Sequence, residues 1–513
     1  MEQKIFIEIN MPARSIALPR LPFSKIIRDR IHGYIQLTPI EYKLIQLPAL
    51  NRLHNIKQLS TAYMVYPCAK GSRFEHSLGV MHIASRMINQ ILCSASPEEL
   101  KELFDLNVRA PTKLRVGYCD LVQKVRLAAL LHDVGHGPFS HLSEEILHKA
   151  IDRDEVKEAT ELFCCKEEKI SFHEYFSYKM ITSNSSIIKE IIEKSTKIKA
   201  IDVGNLLIGR KSKSISDEGT GIVKKLISSQ LDADRMDYLL RDADSTGVIF
   251  GLLDIDRVIM NLRLRKDKTE KYEIAVHERA FMSIEDMIDA RFKMYKWVYN
   301  HHLIVALNRL VLNALESMIE NKQLSQEEFH WNAFLQGKTD ENYVHTKLIE
   351  YQNSEFKGLI DRQYAPTSLL KRPGDYYNFA TMIEKEMGRK LTEAAIKSKI
   401  VKCFSKIQKG KLDVTIPDDQ PEELEKTILL AIQMPRSPYK ALNGKESIWI
   451  CTDRDEDLKE LTTESPYVEA INREWQKFPS FYLSFLIPNM EKEKTKKYKE
   501  KVLEIVAREI TLI

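Results

Sequence analysis

Cysteine is scarce in this sequence of 513 residues, and the seven cysteines present form no C-x-x-C pair. This spacing favours reduced thiols over a disulfide framework or a cysteine-type zinc site. The sequence also lacks an apolar run near the ~20 residues that span a bilayer, and its first ten residues contain no apolar signal core. We therefore expect a cytoplasmic protein with no membrane partner.

A charge excess of one sign is missing as well. Lysine and arginine number 77 and aspartate and glutamate 73, which leaves a net charge of +4. Such a small excess does not by itself favour nucleic acid or a membrane surface as a partner, although nucleic acid is not excluded. The sequence has neither a G-x-x-x-x-G-K-[ST] motif nor a strand–G-x-G-x-x-G–helix motif, so a glycine-rich loop for phosphate is not supported.

The most informative stretch that is present runs from Val125 to Glu144. A mostly apolar segment predicts a buried helix, which Gly135-x-Gly-Pro138 must break. Three histidines and an aspartate follow this helix within ten residues, namely His132, Asp133, His136 and His141. A core helix has no packing reason to end in this way, whereas neutral imidazole and carboxylate groups suit a divalent metal.

A second polar element lies between Leu231 and Asp244. On a helix, Asp234, Tyr238 and Asp242 recur at every fourth position and lie near one stripe. Taken alone, such a segment is more often a solvated helix face paired with its own arginines. Together with His76 and the His132-Asp133 pair, however, Asp234 completes a set that suits Mn, Fe, Co, Ni, Mg or Zn with open coordination positions. Water or a phosphate oxygen would fill these positions.

Three longer strings carry a family resemblance. They are Arg73-Phe-Glu-His76-Ser-Leu-Gly, His132-Asp-Val-Gly-His-Gly-Pro-Phe-Ser-His141 and Asp234-Arg-Met-Asp-Tyr238. They resemble the HD-domain deoxynucleoside triphosphate (dNTP) triphosphohydrolases, in the branch of the vertebrate SAM- and HD-domain enzyme and its bacterial dGTPase-like relatives. The similarity begins near Asp29 and is dense to about residue 310.

The resemblance implies a mainly α fold. We expect an HD-domain helical metal phosphohydrolase core with small β hairpins in residues 1–320, including an N-terminal arm, and a mixed C-terminal lobe in residues 321–513 with a regulatory or oligomerisation role. The residue pattern also predicts β structure near residues 60–67, 257–276 and 445–451, and one long helix over residues 280–320.

The family's site residues map onto this sequence position by position. The metal ligands correspond to His76, His132, Asp133 and Asp234. A catalytic relay beside the scissile bond corresponds to His136, Glu144 and His173, with His173 as the acid and Glu144 standing where the family usually has aspartate. His141 corresponds to a further catalytic histidine on the phosphate side. The substrate contacts correspond to Gln58, Arg73, Arg235, Tyr238, Asp242, Arg291 and Tyr299. Of these, Arg73 would hold the α-phosphate, Gln58 and Asp242 would bind the sugar 3′-hydroxyl, and Tyr238 would select a deoxy sugar.

The resemblance extends to a nucleotide site at a subunit interface. Val65 and Tyr66 match one part of that site. Where relatives bind a guanine nucleotide with an acid, a glutamine and an arginine, this sequence has Gln46, Asn51 and His54. An amide cannot replace a carboxylate on the N–H edge of guanine at equal strength, so we expect an activator other than GTP, or none. The resemblance also implies a homo-oligomer, as a dimer, tetramer or hexamer.

Three functions follow from these residues. The first is a metal-dependent hydrolase that splits a dNTP into deoxynucleoside and inorganic triphosphate, in nucleotide-pool control or phage defence. The second is an HD phosphodiesterase or nuclease acting on cyclic nucleotides or single strands. The third is a regulatory protein that senses nucleotides and turns over little.

Overall fold

The computed structural model describes residues 21–164, 171–212 and 215–350, together with the shorter segments 364–370, 428–431, 447–453, 457–476 and 483–488 and a few single positions beyond residue 380. Helices dominate these residues. They are α1 Pro39–Ile45, α2 Pro48–Asn51, α3 Arg73–Ser94, α4 Pro97–Phe104, α5 Pro111–Leu131, α6 Glu144–Lys149, α7 Arg153–Phe163, α8 Phe172–Thr182, α9 Ile187–Ser195, α10 Ala200–Ile208, α11 Asp217–Ile227, α12 Ala233–Thr246, α13 Ile255–Met260, α14 Phe281–Met294, α15 His302–Glu320, α16 Trp331–Leu335, α17 Glu341–Glu350, α18 Leu461–Glu464 and α19 Pro466–Gln476.

The strands of the described segments form three small sheets. Their bounds are β1 Lys25–Asp29, β2 Gly33–Leu37, β3 Leu262–Lys266, β4 Tyr272–His277, β5 Tyr364–Leu370, β6 Ile428–Ala431, β7 Trp449–Cys451, β8 Lys459–Glu460 and β9 Leu483–Pro488. β1 and β2 form a hairpin, the second sheet has the order β3-β4-β7-β8, and the third has the order β5-β9-β6. Within the second sheet, β4 and β7 are parallel, and the other neighbouring pairs are antiparallel. The prediction of a mainly α fold with small β pieces is thus confirmed.

The buried helix α5 is the axis of the helical core. Its carboxyl-terminal half from Leu121 to Leu131 is buried at every position, which explains why its sequence shows no amphipathic period. The helix nevertheless carries buried Arg126, whose guanidinium has hydrogen-bond acceptors inside the protein. It donates to both carboxylate oxygens of buried Glu41 in α1, each at 2.7 Å. A buried bidentate pair of this kind orients α1 against α5.

The structure corrects three details of the sequence prediction. Residues Ser60–Met64 form a 3-10 helix rather than a strand. The long helix expected over residues 280–320 is divided by a π-helical turn at Tyr295–Tyr299, so α14 and α15 are separate. The predicted hairpin of residues 257–276 exists as β3 and β4, but α13 occupies its first part. The predicted N-terminal arm of residues 1–20 lies outside the described residues.

One hydrophobic cluster extends from Leu21 to Ile471 and crosses residue 320, where the sequence predicted a domain boundary. That boundary stays a prediction. Helix α15 has the length and hydropathy to cross a membrane, with a mean hydropathy of 1.3, but 50% of that stretch is buried inside the protein. Nine of its side chains are buried, as in the core helix of a globular protein.

Candidate metal centre and active site

Helix ends position the four predicted metal ligands. Ser72 caps α3 and forms a capping box with Glu75, which fixes His76 in the first turn of that helix. His132 is the C-cap residue directly after α5, and Asp133 follows it. Asp232 caps α12 by accepting from the backbone N–H of Arg235 at 2.6 Å, which places Asp234 in the first turn of that helix. Three rigid elements therefore end at one place.

The four side chains meet there. The ligating atoms of His76, His132 and Asp133 all lie within 4.8 Å of one another, and the three residues are buried. The Asp234 Oδ1 atom lies 2.9 Å from His76 Nε2 and 3.8 Å from His132 Nε2. The sequence prediction that these four residues converge from separate elements agrees with this geometry, and the cluster can hold a divalent metal.

The donor atoms suit a metal ion. The Nε2 atoms of His76 and His132 are buried and make no hydrogen bond with any described residue, although carboxylate oxygens lie close to both. Burial lowers the pKa of His76, but the carboxylates of Asp234 and Asp237 outweigh it and raise that pKa to about 10. A divalent cation would displace the proton from the His76 Nε2 atom, bind the two ring nitrogens and balance the negative charge of the carboxylates.

The second nitrogen of each histidine ligand is fixed by a partner. His76 Nδ1 donates to Asp237 at 2.8 Å, and His132 Nδ1 donates to the carbonyl of Ala129 at 2.8 Å. Asp237 also accepts from His32 at 2.6 Å and from Arg241 at 2.9 and 3.0 Å. Such partners select the tautomer whose Nε2 faces the metal.

Sequence reasoning missed Asp237 as a functional residue. The available signal was its position three residues after Asp234 on a helix, where neighbouring side chains face similar directions. The structure also shows why α3 approaches it so closely at Gly79. A Cβ atom on this glycine would lie 1.8 Å from Asp237 Oδ1 and 2.7 Å from a terminal nitrogen of Arg241.

The predicted relay residues and His141 form a second cluster beside the first, called the relay cluster below. The ligating atoms of His136, His141, Glu144 and His173 lie within 4.8 Å of one another. The His136 and His173 rings stack at a centroid distance of 3.9 Å, and His173 Nδ1 donates to Glu144 Oε1. His136 Nε2 is 3.3 Å from Asp133 Oδ1, which joins the two clusters.

Electrostatics separate the two central histidines of the relay. Burial lowers the pKa of His173, but Glu144 outweighs it and raises that pKa above its usual value. Burial, together with the charges of Arg73 and His173, holds the pKa of His136 well below its usual value. His173 is therefore the member of the pair suited to carry a proton near neutral pH, and the glutamate that replaces the family's aspartate reaches it.

A close approach of two backbones brings the relay together. A Cβ atom at Gly135 would lie 2.3 Å from the carbonyl oxygen of His173 and 2.4 Å from the backbone nitrogen of Ser177. The Ser177 hydroxyl accepts from the Gly135 N–H at 2.9 Å and donates to the His132 carbonyl at 2.7 Å. The glycine break seen in the sequence thus lets α8 pack directly on the loop after His132.

Arg73 lies between the two clusters and is 2% exposed. Its guanidinium pairs with Asp133 Oδ2, and its Nε donates to the Ser140 hydroxyl at 2.6 Å. Phe139 and Ser140, in the loop that supplies this hydroxyl, have φ angles of 62° and 57°. Two consecutive non-glycine residues in the left-handed region cost about 1–3 kcal/mol each, a strain that clusters at functional sites.

A cavity of about 110 Å³ joins these residues. Both clusters contribute to its wall, together with Gln58, Arg73 and Tyr238. The Gln58 Oε1 atom is buried and has no hydrogen-bond partner among the described residues. Pockets for whole small molecules usually enclose roughly 300–1,000 Å³, so this cavity is smaller than a typical ligand pocket.

The remaining predicted contacts lie outside the described wall of this cavity and are bonded to protein groups. The Tyr299 hydroxyl donates to Asp242 at 2.9 Å, and burial raises the pKa of that carboxyl to about 7. Arg291 donates to Gln230 at 3.0 Å, and Arg235 pairs with Asp232. The binding roles assigned to these residues stay predictions.

The predicted interface residues contact the protein itself in this single chain. Val65 and Tyr66 pack against a small buried cluster that includes Ile304. The Tyr66 hydroxyl also donates to the carbonyl of Trp297 at 2.8 Å. Their role in binding a nucleotide is a prediction as well.

The metal cluster and the adjoining regions match known families. Residues 73–241 match the HD domain and residues 253–373 match the HD associated region. The HD match begins at Arg73 and ends at Arg241, so it contains all four candidate metal ligands and the relay. Residues 73–241 thus form an HD domain, as the sequence motifs indicated.

Relatives at similar identity differ in what is known of them. The chain is 30% identical over 369 residues to an uncharacterized protein of Methanocaldococcus jannaschii and 31% identical over 332 residues to YwfO of Bacillus subtilis, in each case over 64% of the relative. Over 307 residues it is 28% identical to human deoxynucleoside triphosphate triphosphohydrolase SAMHD1, which is 56% of this chain and 44% of that one. The matches thus span less than two thirds of these relatives.

Solved structures share the fold. A hypothetical protein from Aquifex aeolicus superposes with a TM-score of 0.60 at 23% identity, over 95% of this chain and 99% of that chain. A phosphohydrolase from Bacteroides thetaiotaomicron gives a TM-score of 0.58 at 21% identity, over 91% of this chain and all of that one. At these identities the likeness concerns the fold.

Proposed function

We propose that this protein is a metal-dependent hydrolase that converts a dNTP and water into a deoxynucleoside and inorganic triphosphate. One observation carries the proposal, which is that members of the metal cluster and of the relay line one cavity together with Arg73 and the sugar-side residues Gln58 and Tyr238. The similarity to human deoxynucleoside triphosphate triphosphohydrolase SAMHD1 supports the same substrate class.

The residues divide the reaction between them. Arg73 offers a planar, permanently charged donor fork to the α-phosphate. A divalent ion held by His76, His132, Asp133 and Asp234 would supply Lewis-acid polarisation of the phosphoryl group. Water attacks the α-phosphorus and loses one proton to solvent, and the bond from phosphorus to the sugar 5′ oxygen breaks. His173 donates its proton to that oxygen and is then protonated again from solvent. Glu144 holds His173 in orientation and stabilises its charged form before the transfer.

Tyr238 and Gln58, on the other side of the cavity, would select the deoxy sugar. The Tyr238 ring would pack beneath the ribose, where a 2′-hydroxyl would collide with it. Gln58 has an unused carbonyl oxygen at this place, which would accept from the 3′-hydroxyl. The resemblance assigns the same hydroxyl to Asp242, and this carboxyl would first have to exchange its bond with Tyr299.

The direct test is product analysis. Purified full-length protein is incubated with Mn²⁺ and each of the four dNTPs, with each nucleotide also tried as an effector, and deoxynucleoside and inorganic triphosphate are measured. We expect equal amounts of the two products from at least one substrate. Absence of triphosphate release under every combination would overturn the proposal.

One observation favours a second function. Asp242 and Tyr299 are bonded to each other outside the described cavity wall, as in a phosphodiesterase or nuclease that makes no use of a sugar contact there. Such an enzyme would act on cyclic nucleotides or single strands. It would keep its activity after Tyr238→Ala and Asp242→Asn, whereas both changes would impair a dNTP hydrolase.

The proposed enzyme also has proposed partners. We infer a homo-oligomer with a nucleotide effector site near Val65 and Tyr66, and an effector other than GTP because Gln46 and His54 stand where relatives have an acid and an arginine. Here the His54 ring stacks on Phe74 at a centroid distance of 3.7 Å. Tight nucleotide binding that drives assembly with negligible turnover would instead identify a nucleotide-sensing protein.

A further inference from the structure

Glu341 is a buried carboxylate in the HD associated region, and it contacts the loops of the catalytic site. It begins α17 and is 2% exposed. One of its oxygens, Oε1, accepts from the backbone N–H of Lys57 at 2.8 Å and from that of Phe139 at 3.2 Å. The other oxygen pairs with the Lys57 ammonium at 2.7 Å. A residue distant in sequence thus joins two loops of the HD region.

These two loops support the arginine at the centre of the site. The Ser140 hydroxyl accepts from Arg73 Nε at 2.6 Å and donates to the carbonyl oxygen of Lys57 at 2.6 Å. Glu341 therefore holds the backbone on both sides of that hydroxyl, through the N–H of Lys57 and the N–H of Phe139. The left-handed conformation of Phe139 and Ser140 persists only where the surroundings enforce it.

We propose that Glu341 is a positioning residue that fixes Arg73 for phosphate binding and so couples the HD associated region to the catalytic site. The phosphate-binding role of Arg73 belongs to the proposed function, and this inference rests on it. Any shift of α17 would move one carboxylate, and with it the hydroxyl that orients the guanidinium. Discrete hydrogen-bonded links of this kind carry coupling between sites.

A purely structural role would use the same contacts, so the test must ask whether Glu341 acts through Arg73. A double-mutant cycle does this, because changes at two positions are additive only when the positions act independently. Arg73→Lys is a suitable second change. It keeps a positive charge, so that phosphate affinity stays measurable, but it lacks the Nε donor that bonds to Ser140.

The experiment measures the affinity of full-length protein for inorganic triphosphate in Mn²⁺ by calorimetry, together with KM and kcat for dNTPs. We expect Glu341→Ala to weaken triphosphate binding and raise KM about tenfold, within the usual range of coupling between sites, with a smaller change in kcat. In the Arg73→Lys protein the same change should have less than about a twofold effect. An equal weakening in both backgrounds would overturn the proposal.

Two further variants sharpen the outcome. Glu341→Gln keeps an oxygen for the two backbone N–H groups and should restore most of the affinity, although it loses the lysine pair. Glu155→Ala is the matched control, since Glu155 binds His330 and Trp331 of the same associated region at 3.0 and 2.9 Å and, among the described residues, has no hydrogen bond to Lys57, Arg73 or Phe139. A comparable loss of affinity in this control would show a general docking effect and contradict the proposal.

The remaining outcomes are also distinguishable. If Glu341→Ala does not fold, Glu341→Asp replaces it, because the shorter side chain withdraws both oxygens and the same pattern is expected. If the wild-type protein binds triphosphate but hydrolyses no dNTP, the proposed function fails while the affinity cycle still tests the link from Glu341 to Arg73.

Discussion

Two clusters of histidines and carboxylates lie side by side in this protein, and they differ in how their polar atoms are satisfied. In the metal cluster, the buried Nε2 atoms of His76 and His132 have no hydrogen-bond partner among the described residues. In the relay cluster, His173 and Glu144 are bonded to each other. His141 there has 70% of its side chain exposed.

This difference shows that residue type does not by itself define a metal site. Both sets have ligating atoms within 4.8 Å of one another. In the first set both histidine nitrogens that face the cluster lack a hydrogen bond and each ring is held by an outer partner, whereas in the second set, among the described residues, only His136 Nδ1 is a buried ring nitrogen without a hydrogen bond. In the second set the carboxylate of Glu144 is paired with His173, and this pairing suits the transfer of a proton. The following predictions test this division.

The largest effect is expected from loss of a metal ligand. His132→Ala removes one nitrogen donor from the metal cluster, so bound metal and activity should both be lost, with kcat/KM falling by at least about a thousandfold. Metal content is measured by mass spectrometry after dialysis, and hydrolysis by product release. Retention of stoichiometric metal with an unchanged affinity would place the ion elsewhere.

A change in the relay should leave the metal in place. Glu144→Gln removes the charge that orients and protonates His173, so we expect kcat to fall about a hundredfold while metal content equals that of the wild-type protein. Simultaneous loss of metal would mean that the two clusters form one site, which would break the distinction drawn above.

The same variant should move the pH profile. Glu144 raises the pKa of His173, and the proposed acid works only while protonated, so activity of the wild-type protein should fall as pH rises through that elevated pKa. Without the carboxylate the pKa is lower, and the alkaline limb of kcat should shift to lower pH. Profiles of kcat for both proteins measure this, and a shift to higher pH would exclude His173 as the acid.

A smaller effect is expected outside the ligand set. Asp237→Asn weakens the partner that fixes His76, so metal affinity should fall about 10- to 100-fold, while kcat at saturating metal stays near that of the wild-type protein. Competitive titration with a chelator measures the affinity. A fall in kcat that excess metal does not correct would point to a direct role of Asp237 in the reaction.

The smallest effect is expected on the free energy of unfolding. Gly79→Ala would place a methyl group 1.8 Å from Asp237 Oδ1, and overpacking of this kind costs about 1–3 kcal/mol. Gly221→Ala in α11 is the control, since nothing lies within 4 Å of its added Cβ, and a helical glycine replaced by alanine gains about 0.5–1 kcal/mol. Denaturant unfolding compares the two. Equal free energies of unfolding for the two variants would show that α3 shifts to accommodate the added methyl group.

Much of the metal site could be predicted from the sequence because its signals are local. His132 and Asp133 directly follow an apolar helix, and Asp234 opens an acidic one. The relay was also accessible, since the motif containing His136 and the separate His173 fit one family pattern. Gly135 indicated a break in the helix, and the structure shows that the absence of a side chain there lets the backbone of α8 pack against the loop.

The features that could not be predicted depend on distant contacts. No sequence motif surrounds Glu341. Its role can be inferred only from its hydrogen bonds to the backbone of Lys57 and Phe139. The aromatic and β-branched run from Thr61 favours a strand by local preference, yet the chain there forms a 3-10 helix whose Thr61 hydroxyl donates to Asn308 of α15 at 2.6 Å. Tertiary contacts override local preference in such segments.

The parallel pairing of β4 with β7 has a consequence for how the chain reaches its folded state during synthesis. Residues 275–277 pair with residues 449–451, so one edge of β4 has no β7 to pair with until a ribosome has added more than 170 further residues. Pairing across so long an interval is slow, and an open strand edge attracts other chains. A nascent chain that stalls before residue 449 would therefore expose this edge, and aggregation of such fragments should begin there.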